Sequence, residues 1–144
     1  MKPKVTMKSA SAIKARLGIQ KNGLAHAFFT QTCYRYMSPF VPGGSISHLN
    51  QIVNIKVNEI IYQSPDAHYQ WVGKKYEDPK YKVGAFYSPD YGYWSRPGIT
   101  KTPTNQDLKH HTPGTGAHWD KLMWTSKKKE VIKEVQAYVD RGCK

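Results

Sequence analysis

Cysteine is scarce: Cys33 and Cys143 are the only two in 144 residues. Thiols so far apart build neither a disulfide framework nor a zinc site, which takes about four ligands. Free thiols are expected, with Cys33 buried. Long apolar runs are missing too. Nowhere do 18 apolar residues follow one another, and Met1-Lys2-Pro3-Lys4 leads into no apolar stretch. Neither a membrane span nor a secretory signal is therefore expected, and the chain should start out in the cytoplasm. Acidic residues are few, ten against 22 Lys plus Arg, and none precedes Glu59. Arginine is sparse as well: Arg16, Arg35, Arg96 and Arg141 stand beside 18 lysines. Base-specific reading of nucleic acid favours bidentate Arg, so contact with DNA, if made, should be sequence-independent phosphate neutralisation. A solvated, Lys-rich surface is the plainer reading of the same charge. Finally, no GxxxxGK, HExxH, CxxC or GxSxG occurs, which removes the strong nucleotide and catalytic signatures. Gly114-Thr115-Gly116 is too short to indicate a phosphate cradle.

What the chain does have is a net charge of +12 and 18 aromatic residues, ten of them Tyr. The charge calls for an anionic partner or a solvated face. The aromatics are too many for a disordered polar tail. The length suits one domain over 1–144 with a modest core.

Along the chain, 1–19 reads as a basic N-terminal arm or short helix, with Ala10, Ile13 and Leu17 on one side of Ser9–Leu17 and Gly18 ending it. Residues 20–73 read as a helix and a hairpin. Ala25, Phe29, Thr32, Cys33, Tyr36 and Met37 recur at helical spacing until Pro39 and Pro42 stop them. Val53, Ile55 and Val57 then alternate with polar residues, and Asn58-Glu59 turns the chain into Ile60-Ile61-Tyr62. Ser64-Pro65-Asp66 opens a short helical turn that Gly73 closes. Phe29, Cys33 and Met37 should pack with Val53, Ile55 and Val57 and with Val131, Val135 and Tyr138.

The stretch 74–118 shows no sustained period and carries five prolines, so an extended loop is expected. Its rings, from Tyr76 to Trp94, are costly to leave in water. Either they cover the small sheet or they fill an interface with a second subunit, and Trp71, Tyr91, Tyr93 and Trp94 are the interface candidates. The C-terminal helical segment, 119–144, holds the clearest stripe: Val131, Ile132, Val135, Tyr138 and Val139, with Ser126 as its cap and Gly142 as its end. The fold class that results is α+β, a small antiparallel sheet packed with a long central helix and a C-terminal helix, plus a long insertion rich in Pro and aromatics.

His110, His111, His118 and Asp120 are four potential metal ligands within eleven residues. Adjacent histidines diverge in an extended chain and two glycines follow, so neither a metal nor any other cofactor is expected. Acid–base catalysis by His118 with Asp120 lacks a second carboxylate. The chain is not expected to be an enzyme.

Two stretches, Ile60-Ile61-Tyr62-Gln63-Ser64-Pro65-Asp66-Ala67-His68-Tyr69-Gln70-Trp71-Val72-Gly73 and Thr112-Pro113-Gly114-Thr115-Gly116-Ala117-His118-Trp119-Asp120-Lys121, resemble the signature segments of bacteriophage minor capsid proteins encoded in the head-tail joining region of tailed phages. Lys129–Val135 fits the same pattern. Pro42 and Leu49 keep two positions of the family's turn after its long helix, while its Thr-Gly and Arg are lost; the family's SPYA here reads Ser64-Pro65-Asp66-Ala67. On this resemblance Ser64, Pro65, Gly73, Pro113, Gly114, Gly116, Trp119 and Asp120 are structural motif positions. It implies a structural virion protein of the neck, similar to tail-completion proteins and assembled in the host bacterial cytoplasm. Such a protein would form a homo-oligomeric ring, a hexamer by analogy with tail symmetry, between the head-tail connector and the tail-terminator or tail-tube proteins. A non-specific nucleic-acid-binding domain and a small nuclease are the competing classes.

Overall fold

Ser9 accepts a hydrogen bond from Ala12 N at 3.2 Å and so caps helix α1, Ala10–Leu17. Gly18, at φ 73°, ends it in the left-handed conformation that glycine adopts without steric cost. The computed structural model describes residues 9–144; the first part of the expected basic arm, 1–8, lies outside the described residues. No side chain of α1 is buried. The helix is held at its end, where the Cys143 thiol donates to Leu17 O at 3.3 Å.

Helix α2, Leu24–Met37, follows the expected stripe and runs into a 3-10 turn at Ser38–Phe40, with Pro39 within it. A second 3-10 turn, Gly44–Ile46, leads to the short α3, His48–Gln51. Strands β1, Val53–Ile55, and β2, Ile60–Tyr62, pair antiparallel with Val53 opposite Tyr62 and Ile55 opposite Ile60. Lys56 N donates to Glu59 O at 2.8 Å, so the turn falls at Val57-Asn58, one residue earlier than expected. Helix α4, Ala67–Val72, ends on Gly73 as the sequence suggests. The last helix, α5, spans Trp119–Asp140. It begins seven residues before Ser126, which is therefore not its cap; His118 at φ 52° occupies that position.

The core forms where α2 and α5 cross over the hairpin. Met37, Val41, Leu49, Ala67, Trp119, Met123 and Val131 are buried, and Phe29, Cys33, Ile60, Tyr62, Trp71 and Val135 pack against them. Tyr138 stacks on Phe28 at 4.0 Å between ring centroids. Arg35 and Tyr36 of α2 both bond the Glu134 carboxylate of α5, and these bonds hold that carboxyl below its ordinary range, the Tyr36 hydroxyl contributing most.

Three expectations are corrected. Val53, Ile55 and Val57 do not supply the sheet's share of the core: Ile55 and Val57 are 36% and 37% exposed. The pairing puts Val53, Ile55, Ile60 and Tyr62 on one face, but only the β2 pair lies over the helices, and the outer strand overhangs. Cys33 is half-buried and Cys143 is the buried thiol.

The third correction concerns 74–118, which is not an unstructured loop. Strands β3, Lys74–Glu77, and β6, Thr102–Asp107, pair antiparallel as a stem, with a register shift between Lys74 and Tyr76. Inside the stem, β4, Phe86–Ser88, and β5, Gly92–Trp94, form a hairpin. The class is α+β, with five helices and three two-stranded antiparallel sheets among the described residues. No described helix is long and apolar enough to cross a membrane.

Candidate assembly surface

The two signature stretches fold against each other. Trp71, on α4, donates its indole N–H to Asp120 Oδ1 at 2.8 Å, and His118 N donates to Trp71 O at 3.0 Å. The Trp71 and His118 rings meet edge to face with centroids 4.3 Å apart. Trp119, 2% exposed, sits edge-on to Tyr62 at 5.3 Å. Burial pushes the Tyr62 phenol well above its ordinary range.

Gly73 has two reasons to be glycine: its φ is 74°, and a Cβ there would collide with the Cβ of Ala117. Its carbonyl accepts from Leu108 N at 2.8 Å, tying the return of the insertion to the end of α4. The Thr112–Gly116 turn closes on itself, with Thr115 Oγ1 donating to Thr112 O at 2.7 Å, and Gly116 N reaches Phe40 O. Pro113 and Gly114 are exposed on that turn. Ser64 is buried and its hydroxyl bonds Asp66, whose other oxygen meets His48 Nε2 at 2.8 Å; Pro65 between them is exposed. Burial works against the Asp66 charge, but the bonds from Ser64 and His48 outweigh it and keep the carboxyl below its usual range.

The insertion is an arm with its own fastening. Asp78, 4% exposed, accepts from Arg96 Nε at 2.6 Å and Nη2 at 2.7 Å, and from the backbone N–H groups of Lys80 and Tyr81. The Arg96 guanidinium holds the Asp78 carboxyl far below the usual carboxylate range. The guanidinium also lies 5.0 Å from the centre of the Tyr81 ring. Tyr81 meets Phe86 edge-on at 5.4 Å, and Phe86 stacks with its cross-strand partner Trp94 at 4.7 Å.

Alternation along β4 and β5 sends the next rings the other way. Tyr87 and Tyr93 face each other at 5.3 Å, 66% and 80% exposed, and Tyr91 at the turn is 85% exposed. Three of the four interface candidates, Tyr91, Tyr93 and Trp94, thus share one hairpin, whereas Trp71 is half-buried and engaged in the joint with Asp120. Tyr87 belongs with the hairpin set, and its cue was present in Ser88-Pro89-Asp90-Tyr91-Gly92, turn residues between two aromatic pairs.

The four potential ligands His110, His111, His118 and Asp120 do not converge. Among the described residues no three His, Cys, Asp or Glu side chains are grouped as a metal site requires. His118 faces Trp71, and His110 and His111 line a separate cavity with His48. Comparison of the chain with protein-family models, curated proteins and solved structures returned no match.

Proposed function

We propose that this chain is a structural subunit of a tailed-phage neck, a ring protein that joins the DNA-filled head to the tail. The observation that carries the reading is the pairing of Trp71 with Asp120: the two stretches on which the resemblance rests are one structural unit in space. The exposed Tyr87, Tyr91 and Tyr93 on a fastened arm support it further. Large apolar rings displayed on a rigid hairpin suit a partner surface better than water. In this reading six copies form the ring, the partners are the head-tail connector and the tail-terminator or tail-tube proteins, the location is the virion, and no enzymatic step or cofactor is involved.

A generic DNA-binding role is the second reading. Lys121, Lys128, Lys129 and Lys133 are exposed on α5, and none enters an ion pair among the described residues. Lysines in that state would line a channel without reading sequence.

Light scattering and negative-stain imaging of the purified full chain, alone and with a head-tail connector protein, test the proposal. Closed rings that disappear in a Tyr91→Ala, Tyr93→Ala variant are the expected result. A monomer under all conditions, together with its absence from purified virions by mass spectrometry, would overturn it. Tight, steeply salt-dependent duplex binding by that monomer would favour the second reading.

A further inference from the structure

A cavity of about 450 Å³ opens at the joint of the two signature stretches, where α4, β2 and the start of α5 meet. Met37, Ile60, Trp71 and Trp119 give it apolar walls, and Met37 and Trp119 belong to the buried core. His68 and Asp120 are its exposed lining residues. Trp71 holds Oδ1 of Asp120, while Oδ2 takes no hydrogen bond among the described residues. Met37, Ile60 and Asp120 also border a second cavity of about 580 Å³, so the two form one groove that takes in Trp124 and Lys121. Lys121 is exposed and enters no ion pair among the described residues.

The hairpin of β4 and β5 complements this groove. Tyr91 stands at its turn, 85% exposed, with Tyr87 and Tyr93 on the strands beside it. In a chain of net charge +12, residues 83–95 carry no basic side chain, and their one charge is Asp90, next to Tyr91. Asp90 is exposed and has no ion-pair partner among the described residues. Nucleic acid would ask for basic residues around stacking rings, so an acidic tip argues for a protein surface with positive charge beside an apolar hollow. The groove has both. Its own hairpin does not fill it, since Tyr91 is free in the chain that carries it.

We propose that Tyr91 of one copy seats in the groove at the α4 and α5 joint of a second copy, with Asp90 of the first paired to Lys121 of the second. The inference rests on the ring reading above and deepens it by naming the surface that receives the hairpin. Hairpin and groove are different patches, so the contact is heterologous: each copy gives one and receives one, and a closing rotation makes a ring. The Met37 side chain adapts to an entering aromatic ring, and Asp120 Oδ2 is an acceptor for the phenol. One hairpin per contact is a small interface, so each contact is weak alone and closure of the ring strengthens the set.

Photo-cross-linking of the full-length chain tests the contact. Tyr91 is replaced by benzoylphenylalanine, and the variant is mixed with nitrogen-15-labelled wild type so that only links between copies are counted. The links should fall within residues 60–71 or 119–124 of the labelled copy; links confined to other segments would overturn the proposal. Asp90→Lys and Lys121→Asp each change an exposed side chain, so melting temperatures should hold. Each should raise the concentration for half-assembly about fivefold in light scattering. Together in one chain they rebuild the pair across every contact and should bring assembly back to within about twofold of wild type. Additive loss in the double variant would overturn the pairing. A wild-type chain that stays monomeric removes the contact together with the ring reading, whereas wild-type rings indifferent to both substitutions remove the contact alone.

Discussion

Trp71 and Asp120 lie 49 residues apart in the chain and 2.8 Å apart across the bond from indole to carboxylate. That bond brings the start of α5 to the end of α4 and lets Gly73 and Ala117 come into contact beneath it. Trp71→Phe keeps an aromatic ring, though a smaller one, and deletes the donor. It should cost about 1 kcal/mol in urea unfolding, the net worth of one such bond, with the midpoint shifted and the slope unchanged.

Gly73→Ala should do more damage than its single methyl suggests. The substitution forces a left-handed alanine and a collision with the Ala117 methyl, so a loss above about 2 kcal/mol is expected. The double variant with Ala117→Gly should recover the collision part but not the backbone part, and a full recovery in thermal melts would show that φ is not the constraint.

Fold and assembly should separate cleanly between two kinds of aromatic residue. Trp119→Ala removes a side chain that is 2% exposed and should cost about 3–5 kcal/mol. Tyr91→Ala removes one that is 85% exposed and should change stability by less than about 0.5 kcal/mol, while weakening ring formation. Melting curves measured alongside light scattering distinguish the two.

The arm should loosen in acid. The carboxyl of Asp78 is depressed in the folded state by the Arg96 bonds, so its contribution is complete above the ordinary carboxylate range near 3.8 and is lost as pH falls below it. Carbon-13 NMR of the Asp78 carboxyl should show no titration at pH 4 in the native chain. In Arg96→Ala the midpoint should move upward, and hydrogen exchange in β4 and β5 should accelerate with no change in α2.

Cys33 should react slowly with a disulfide reagent at pH 8. Burial pushes its thiol up to about 11, which leaves little thiolate at that pH. Cys143 is buried against Gly18. Both should label at once in urea; rapid labelling of Cys33 in the native chain would contradict its placement.

Helices α1, α2 and α4 were legible because each carries its own punctuation, whereas the sequence points to Ser126 for the start of α5 because His118 offers no capping side-chain bond. Gly18 and Gly73 close α1 and α4 in the left-handed conformation, and Pro39 marks the change that ends α2. The strands were harder to read for a physical reason. With three residues in β4 and three in β5, alternation has no length over which to declare itself, and what stabilises them comes from a distance: Arg96 reaches back 18 residues to Asp78, and Trp94 crosses to Phe86. Which strand of the first hairpin meets the core was undecidable from β-branched residues on both, since Val53 and Ile55 share a face with Ile60 and Tyr62. Of the candidate surface, Tyr91, Tyr93 and Trp94 were visible in the sequence; the partition of the histidines between two places was not, because it depends on how the insertion returns.

That return makes the arm a modular attachment. Lys74 and Asp107 are paired at the foot of the arm, and Gly73 O meets Leu108 N at 2.8 Å, so the body sees the insertion as two adjacent ends whatever lies between them. A cassette attached this way can be lengthened, shortened or exchanged with little change in closure entropy for the body. Replacing residues 74–107 by a two- or three-residue glycine link should therefore leave a folded body, with α2 and α5 packed as before.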